Sequence, residues 1–398
     1  MKRQRSKSPI RLTRDAERLI AYSTGIVASH SRREDRAWER ELDALAAKLM
    51  DAGNDLPLES ALDHTLQSNP DAHDALAEAL EAQAESCTIA IDGEAWDLTL
   101  LGVPVVAWSR YSIPAGPIAA AAVEGIAPHL YAHVLAANAR LAISPYLYSI
   151  DQMPRDYSGI RKLTIKLGES AIAQKAVRFD FAKLPETAPL LADSRFLLVG
   201  VAVRKDEPLF RWQEFDATNG RAPARTDCLA RWVEQGRPHL AKLLTGCSFE
   251  CGLPDAYFGN CRDAERRVRP YAIRAAVSFL ESTLKTTPER MRAVIAGIGE
   301  ERIDEYRIGF AQVDNDDVIH GVVWPLFGSE EDDTVPGPRG EIETVLKECK
   351  ISEINWVEGM LAPEYCEDCG APLFSDRDGE MVHPELPEEV EQPATHYH

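Results

Sequence analysis

The chain has 398 residues, 45% hydrophobic and 27% charged, the balance of an ordinary globular protein able to bury a large core. No stretch reaches the ~20 consecutive apolar residues of a membrane span; the most apolar window, 116–137, is interrupted by Glu124, His129 and His133. A net charge of −20 repels nucleic acid over most of the surface and leaves only the basic N-terminal arm able to engage phosphates.

That charge is unevenly placed. Residues 1–18 carry seven Lys/Arg against two acids, whereas 329–398 carry nineteen acids against four Lys/Arg. Both ends read as solvated tails. The opening MKRQRSKSPIRL lacks the apolar core of a secretory signal, which predicts a cytoplasmic chain with its eight cysteines as reduced thiols or metal ligands.

In chain order, residues 1–12 read as a disordered basic arm and 13–86 as a helical segment. Ala16, Leu19, Ile20 and Ile26 mark one amphipathic stripe; Trp38, Leu42, Leu45 and Leu49 mark a second. AGNDLP breaks the pattern, and helices at 57–67 and 70–86 follow, the latter opened by Asn-Pro-Asp. Residues 87–176 form a first unit: CTIAI, a turn at Asp92-Gly93, a strand ending at Trp108, a helix at 117–137, a strand at 139–148 and a helix near 158–174. Residues 177–286 repeat the order, with RFLLVGVAV, a turn at 205–207, the strand PLFRW, a helix at 225–244, a strand at 246–252 and a helix at 265–284. The third unit, 287–365, has MRAVIAGI, DEYRIGFAQV, a DNDD turn, VIHGVVWPLF, a helix at 339–349 and a strand at 353–361. Residues 366–398 form a CxxC knuckle and an acidic tail.

Pro145, Pro254 and Pro363 stand 109 residues apart, each preceded by an apolar run and followed within three residues by a tyrosine, at Tyr148, Tyr257 and Tyr365. The expectation is an α+β fold: an N-terminal helical segment, then three related ββαβ-type units with mixed sheets.

Several runs carry a family resemblance: AWSRYSIPAGPI, PYLYSIDQMPRDY, RRVRPYAIRAAVSFLE, EYRIGF, HGVVWPL and EYCEDCGAPLF. They resemble an uncharacterised bacterial domain-of-unknown-function family of about 400 residues, from about Arg14 to the C-terminal acidic stretch. The resemblance lends no activity, substrate or catalytic residue.

The sharpest chemical signal is Cys366-Glu-Asp-Cys369-Gly370, a turn that points two sulfurs at one place, as in a structural zinc knuckle. His383 is the nearest further ligand; Cys349, His396 and His398 are weaker candidates. A reduced turn without metal is the competing reading. Cys247, Cys251 and Cys261 read as buried core thiols. His129 and His133 stand four apart on a helix, as metal ligands would, but Leu-Tyr-Ala lies between them where a metalloprotease carries glutamate. They read as hydrogen-bonded helix histidines.

The loop 109–117, with Arg110, Tyr111 and Gly116, leads from a strand to a helix start, a place suited to a phosphate or carboxylate. Pro117 removes one donor there, so a structural turn competes. Tyr148, Asp151 and Arg155 follow the first unit's last strand; Asp255, Tyr257 and Arg269 follow the second's. Arginine and tyrosine together suit recognition, and these segments would line one cleft if the units pack around an axis. HExxH, GxSxG, GxxxxGK[ST] and GxGxxG are all absent from the sequence, and no residue is assigned a catalytic role. The expected function is that of a binding or adaptor protein with a zinc knuckle and a protein partner. A dimer is the expected state if the third unit leaves a sheet edge bare. The alternatives are an enzyme acting on a small anionic ligand between the units, and RNA or ribosome binding through residues 2–18.

Overall fold

Four helices open the fold: α1 (Arg14–Ala28), α2 (Arg32–Asp51), α3 (Leu56–Ser68) and α4 (Pro70–Glu85). The computed structural model describes residues 12–215, 220–300, 302–327, 330 and 337–387; the extreme arm and the end of the acidic tail lie outside these. Thr13, Ser31 and Asn69 cap three of the helices by accepting N–H groups of the first turn. The stripes bury as the spacing predicts: Ala16, Leu19, Leu42, Leu45 and Leu49 enter one core with Leu58, Leu76 and Leu80. Trp38 stays at the rim, its ring 6.1 Å from that of Tyr22.

The large sheet is built on two long antiparallel strands, β2 (Glu94–Trp108) and β6 (Ala192–Arg204), paired from Trp96↔Arg204 to Trp108↔Ala192. Six short strands flank them: β1 (Ser86–Ile91), β3 (Gly116–Pro117), β4 (Arg140–Ile143), β5 (Tyr146–Ser149), β7 (Ser248–Cys251) and β8 (Asp255–Ala256). β1, β8 and β7 all border β2; β4 and β5 border β6, and β3 pairs with β5. Alternation along β2 and β6 sends Leu101, Val103, Val105, Leu197, Val199 and Val201 to one face, where α5 (Ala120–His133) and α7 (Arg225–Leu240) pack. Leu100, Phe196 and Leu198 go to the other, against α6 (Tyr157–Ala173) and the 28-residue α8 (Tyr257–Leu284), with α1–α4 outside these.

A second sheet of four strands has the order β11 (His320–Pro325), β10 (Glu305–Gln312), β9 (Met291–Ile298), β12 (Glu353–Leu361). α9 (Pro338–Glu348) precedes β12, which runs parallel to β9. One face packs on α9 and the C-terminal half of α8 through Ile273, Leu280, Ile295, Ile308 and Phe310. A small hairpin, β13 (Phe374–Ser375) and β14 (Met381–Val382), lies on the other face.

This is a mixed α+β architecture, as expected. The strands are not arranged as three like units. The first two units interleave in one sheet, β4 of the first pairing with β6 of the second and β7 of the second with β2 of the first. The third unit has a sheet of its own, with three strands before its helix. PLFRW is not a strand: Phe210 makes a single bridge to Leu135 and stacks on Trp212 at 4.3 Å, so its apolar surface is satisfied without a ladder. The strand expected at 139–148 is split at Pro145, which has no N–H to give a neighbour. α8 begins eight residues before the expected 265. Its N-cap, Ala256, has no capping side chain; Glu85, at the end of α4, accepts the Phe258 N–H at 2.9 Å instead.

Candidate metal site and neighbouring cleft

The segment after β12 turns back sharply at Cys366–Gly370. The Cys366 carbonyl accepts the Gly370 N–H at 2.9 Å, and the Cys366 N–H donates to Ala371 O at 2.8 Å. Gly370 takes φ 74°, where a side chain would be strained. Backbone N–H groups of Cys369 first, then of Asp368, point at the Cys366 sulfur and hold its thiol below the ordinary cysteine range.

The hairpin supplies the third donor. Asp376 Oδ1 accepts the N–H groups of Asp378 and Glu380, both at 2.9 Å, closing a turn that reverses the chain. β14 then returns His383 to the knuckle, with Nε2 3.3 Å from Cys369 Sγ. The ligand atoms of Cys366, Cys369 and His383 all lie within 4.8 Å of one another, close enough to bind one metal ion and compatible with zinc. His383 Nδ1, on the far side of the ring, is 3.7 Å from Glu385 Oε1, an ionic contact beyond hydrogen-bond distance. Among the described residues no other group of three or more Cys, His, Asp or Glu brings its ligand atoms so close.

The knuckle is anchored by a residue that no motif singles out. Arg307, fully buried in β10, donates to Glu305 at 2.7 Å, to Glu364 O at 2.6 Å and to Leu373 O at 2.8 Å. One guanidinium thus ties together both strands of chain flanking the two cysteines, and its face covers the Tyr365 ring at 4.9 Å. Phe374, also fully buried, seats the hairpin: a Cβ on Gly321 would lie 2.2 Å from its ring. Of the weaker ligand candidates, Cys349 packs against the small-sheet core, where burial raises its thiol pKa. His396 and His398 lie outside the described residues.

The residues expected to line one cleft are separated. Tyr148 is buried, bonded to Ser144 Oγ at 2.7 Å, its hydroxyl pushed up to about 12 by burial. Tyr257 is buried too, donating to Pro154 O at 2.8 Å, and burial raises its pKa. Both are core packing residues. Asp151 and Arg155 pair with each other on the surface at 2.8 Å. Arg110 donates to Ser278 Oγ at 3.1 Å, and the neighbouring Tyr111 is 75% exposed. Arg269 is buried, donating to Pro325 O and Glu330 and facing Trp324 at 4.9 Å. Its long side chain reaches between helix and sheet, and that is why it lines no open cleft with the others.

Asp255 enters a cleft of about 370 Å³ between the N-terminal ends of α7 and α8 over β7, while Arg269 lines a separate one of about 240 Å³ beside β11. Asp255 pairs with Arg225 in the former, and Glu250, Asn260, Asp263 and Arg267 share its wall. Arg225 and Glu250 escaped the sequence reading because each lies in an element whose neighbours are fixed only by the interleaved pairing. Cys251 and Cys261 are buried thiols, as expected, and burial pushes Cys251 up to about 11.

With this geometry in place, comparison with protein families is decisive about membership. A family model described as a protein of unknown function, DUF2863, matches residues 4–397. The chain belongs to DUF2863. Neither a curated protein nor a solved structure matches it. The match to the DUF2863 model runs across both sheets, the knuckle and the hairpin of this chain.

Proposed function

We propose that this chain is a protein-binding adaptor whose C-terminal knuckle is held by zinc through Cys366, Cys369 and His383. The convergence of two sulfurs and one imidazole within 4.8 Å carries the zinc reading. Support for protein binding lies next to it: Tyr365 is 56% exposed and Met360, on β12, 39% exposed. β12 is the last strand of its sheet, and so offers unpaired backbone groups to an incoming segment. The reading also places the protein in a reducing compartment, where the two cysteines remain available as thiolates, and treats its interleaved units as related copies.

The test is capture of partners by tagged full-length protein, set beside a Cys366→Ser, Cys369→Ser variant with zinc content measured for both. A stoichiometric partner and one zinc per chain, both lost in the variant, is the expected result. Wild-type protein that carries no zinc when purified without chelators contradicts the metal reading; a partner retained by the zinc-free variant contradicts the coupling.

A second reading rests on the cleft of about 370 Å³: an enzyme or receptor for a small polar ligand. Arg267 has no ion-pair partner among the described residues and would meet the anionic end of such a ligand. A metabolite-induced thermal shift abolished by Arg267→Ala supports it. Retention on heparin lost with residues 1–14 would instead support RNA binding.

A further inference from the structure

Across the large sheet from α8, α5 and α7 bring two histidines together. The Nε2 atoms of His129 and His239 are 3.2 Å apart, from residues separated by 110 positions. Both stand in a Pro-His-Leu segment, Pro128–Leu130 and Pro238–Leu240, and each proline lies inside its helix. The rings are held in place. A Cβ on Gly125 would sit 2.6 Å from His239 Nδ1, so the close approach of that imidazole to α5 requires glycine there. One turn along α5, His133 is buried, its ring 6.1 Å from that of His129 and its Nε2 3.0 Å from Gln235 Oε1. His239 also lines a cavity of about 490 Å³ beside Lys242.

Two imidazoles set Nε2 to Nε2 serve either a shared proton or a shared metal. A hydrogen bond places an N–H on one of them; a metal uses the lone pairs of both. In tetrahedral coordination with metal–nitrogen bonds of about 2.0–2.1 Å, ligand nitrogens stand roughly 3.3–3.4 Å apart. The observed 3.2 Å is close to that spacing.

We propose that His129 and His239 form a second metal site, for a divalent transition-metal ion that favours imidazole, with His133 as an additional donor when it leaves Gln235. The donor set selects zinc, nickel or copper over magnesium or calcium. Such an ion would clamp α5 to α7, the two helices contributed by the two interleaved units.

Zinc binding is measured on full-length protein by equilibrium dialysis with elemental analysis. The Cys366→Ser, Cys369→Ser variant removes the first site and leaves this one, so failure there does not bear on the adaptor reading. The variant is expected to keep one zinc per chain and to lose it when His239→Gln is added. Glutamine can still hydrogen-bond to His129, which separates loss of a ligand from loss of packing. No zinc on the cysteine variant, or zinc undiminished by His239→Gln, overturns the proposal. Should the cysteine variant fail to fold, zinc-saturated wild type is expected to hold two zinc ions per chain and its His239→Gln variant one; equal zinc content in the two overturns the proposal.

Discussion

Glu85 caps a helix that is not its own. Its carboxylate meets the exposed N–H groups of α8, a favourable place for negative charge, worth about 0.3–1 kcal/mol in general. Burial opposes this and wins: it is the largest influence on a carboxyl pushed from 4.5 up to about 7, ahead of the Phe258 N–H, which lowers it. Because the folded value is raised, the stabilisation is fully present below the unfolded value of 4.5 and is lost as pH rises through about 7. Glu85→Gln, which still accepts the Phe258 N–H, should raise stability at about pH 8 by roughly 1–3 kcal/mol and change it little at about pH 4. Urea melts at the two pH values check this; an equal effect at both would point to packing rather than ionisation. Arg307 has the opposite character, a buried charge with an acceptor at Nε and two at Nη1, only Nη2 lacking one among the described residues. Arg307→Met leaves Glu305 and two carbonyls without their donor, a loss of about 3–5 kcal/mol when a buried pair is broken from one side. Metal content should fall along with the melting temperature, since the chain flanking both cysteines is released.

At the scale of elements, the C-terminal hairpin depends on what β11 lacks. Gly321→Ala would drive a methyl into the Phe374 ring, and overpacking of this kind costs roughly 1–3 kcal/mol. Limited proteolysis should then cut between Ser375 and Val382 sooner than in wild type, with the large sheet unaffected. Elements with a local pattern were legible in the sequence: α1 to α4 from apolar spacing and caps, the β1–β2 turn from Asp92-Gly93, β9 to β12 from alternating runs. Elements fixed by distant partners were not. The first eight residues of α8 contain Gly259 and Asn260 and resemble a loop; they are helical because β8 delivers them to the sheet and Glu85 caps them from α4. PLFRW has a strand's composition, yet it makes only the single bridge from Phe210 to Leu135.

For the whole molecule, the same division separates what was legible of the candidate site from what was not. Cys366, Cys369 and His383 were readable because a short turn and one hairpin join them. Arg307 was not, the two backbone carbonyls it holds lying 57 and 66 residues further on. The grouping of Arg110, Asp151, Asp255 and Arg269 into one cleft presumed units arranged about an axis. Each instead has its own partner: Arg110 with Ser278, Asp151 with Arg155, Asp255 with Arg225, and buried Arg269 with Glu330.

The exchange of strands between the first two units has a consequence for how the chain can be divided. Residues 174–191 join α6 to β6 without a helix or strand of their own, so a cut between Glu186 and Thr187 severs no element. It parts β2 from β6 along their whole shared length, and leaves β4 and β7 each in the fragment that lacks its partner strand. Neither fragment can complete its sheet by itself, while each holds what the other lacks. The two, co-expressed, should reassemble by complementation in trans into a nicked protein that co-purifies and melts as one. Expressed singly, each would expose a long bare strand and aggregate, or find the missing strands in a second copy of itself. A mixture that never associates would show that the join between the units must be covalent for the sheet to form.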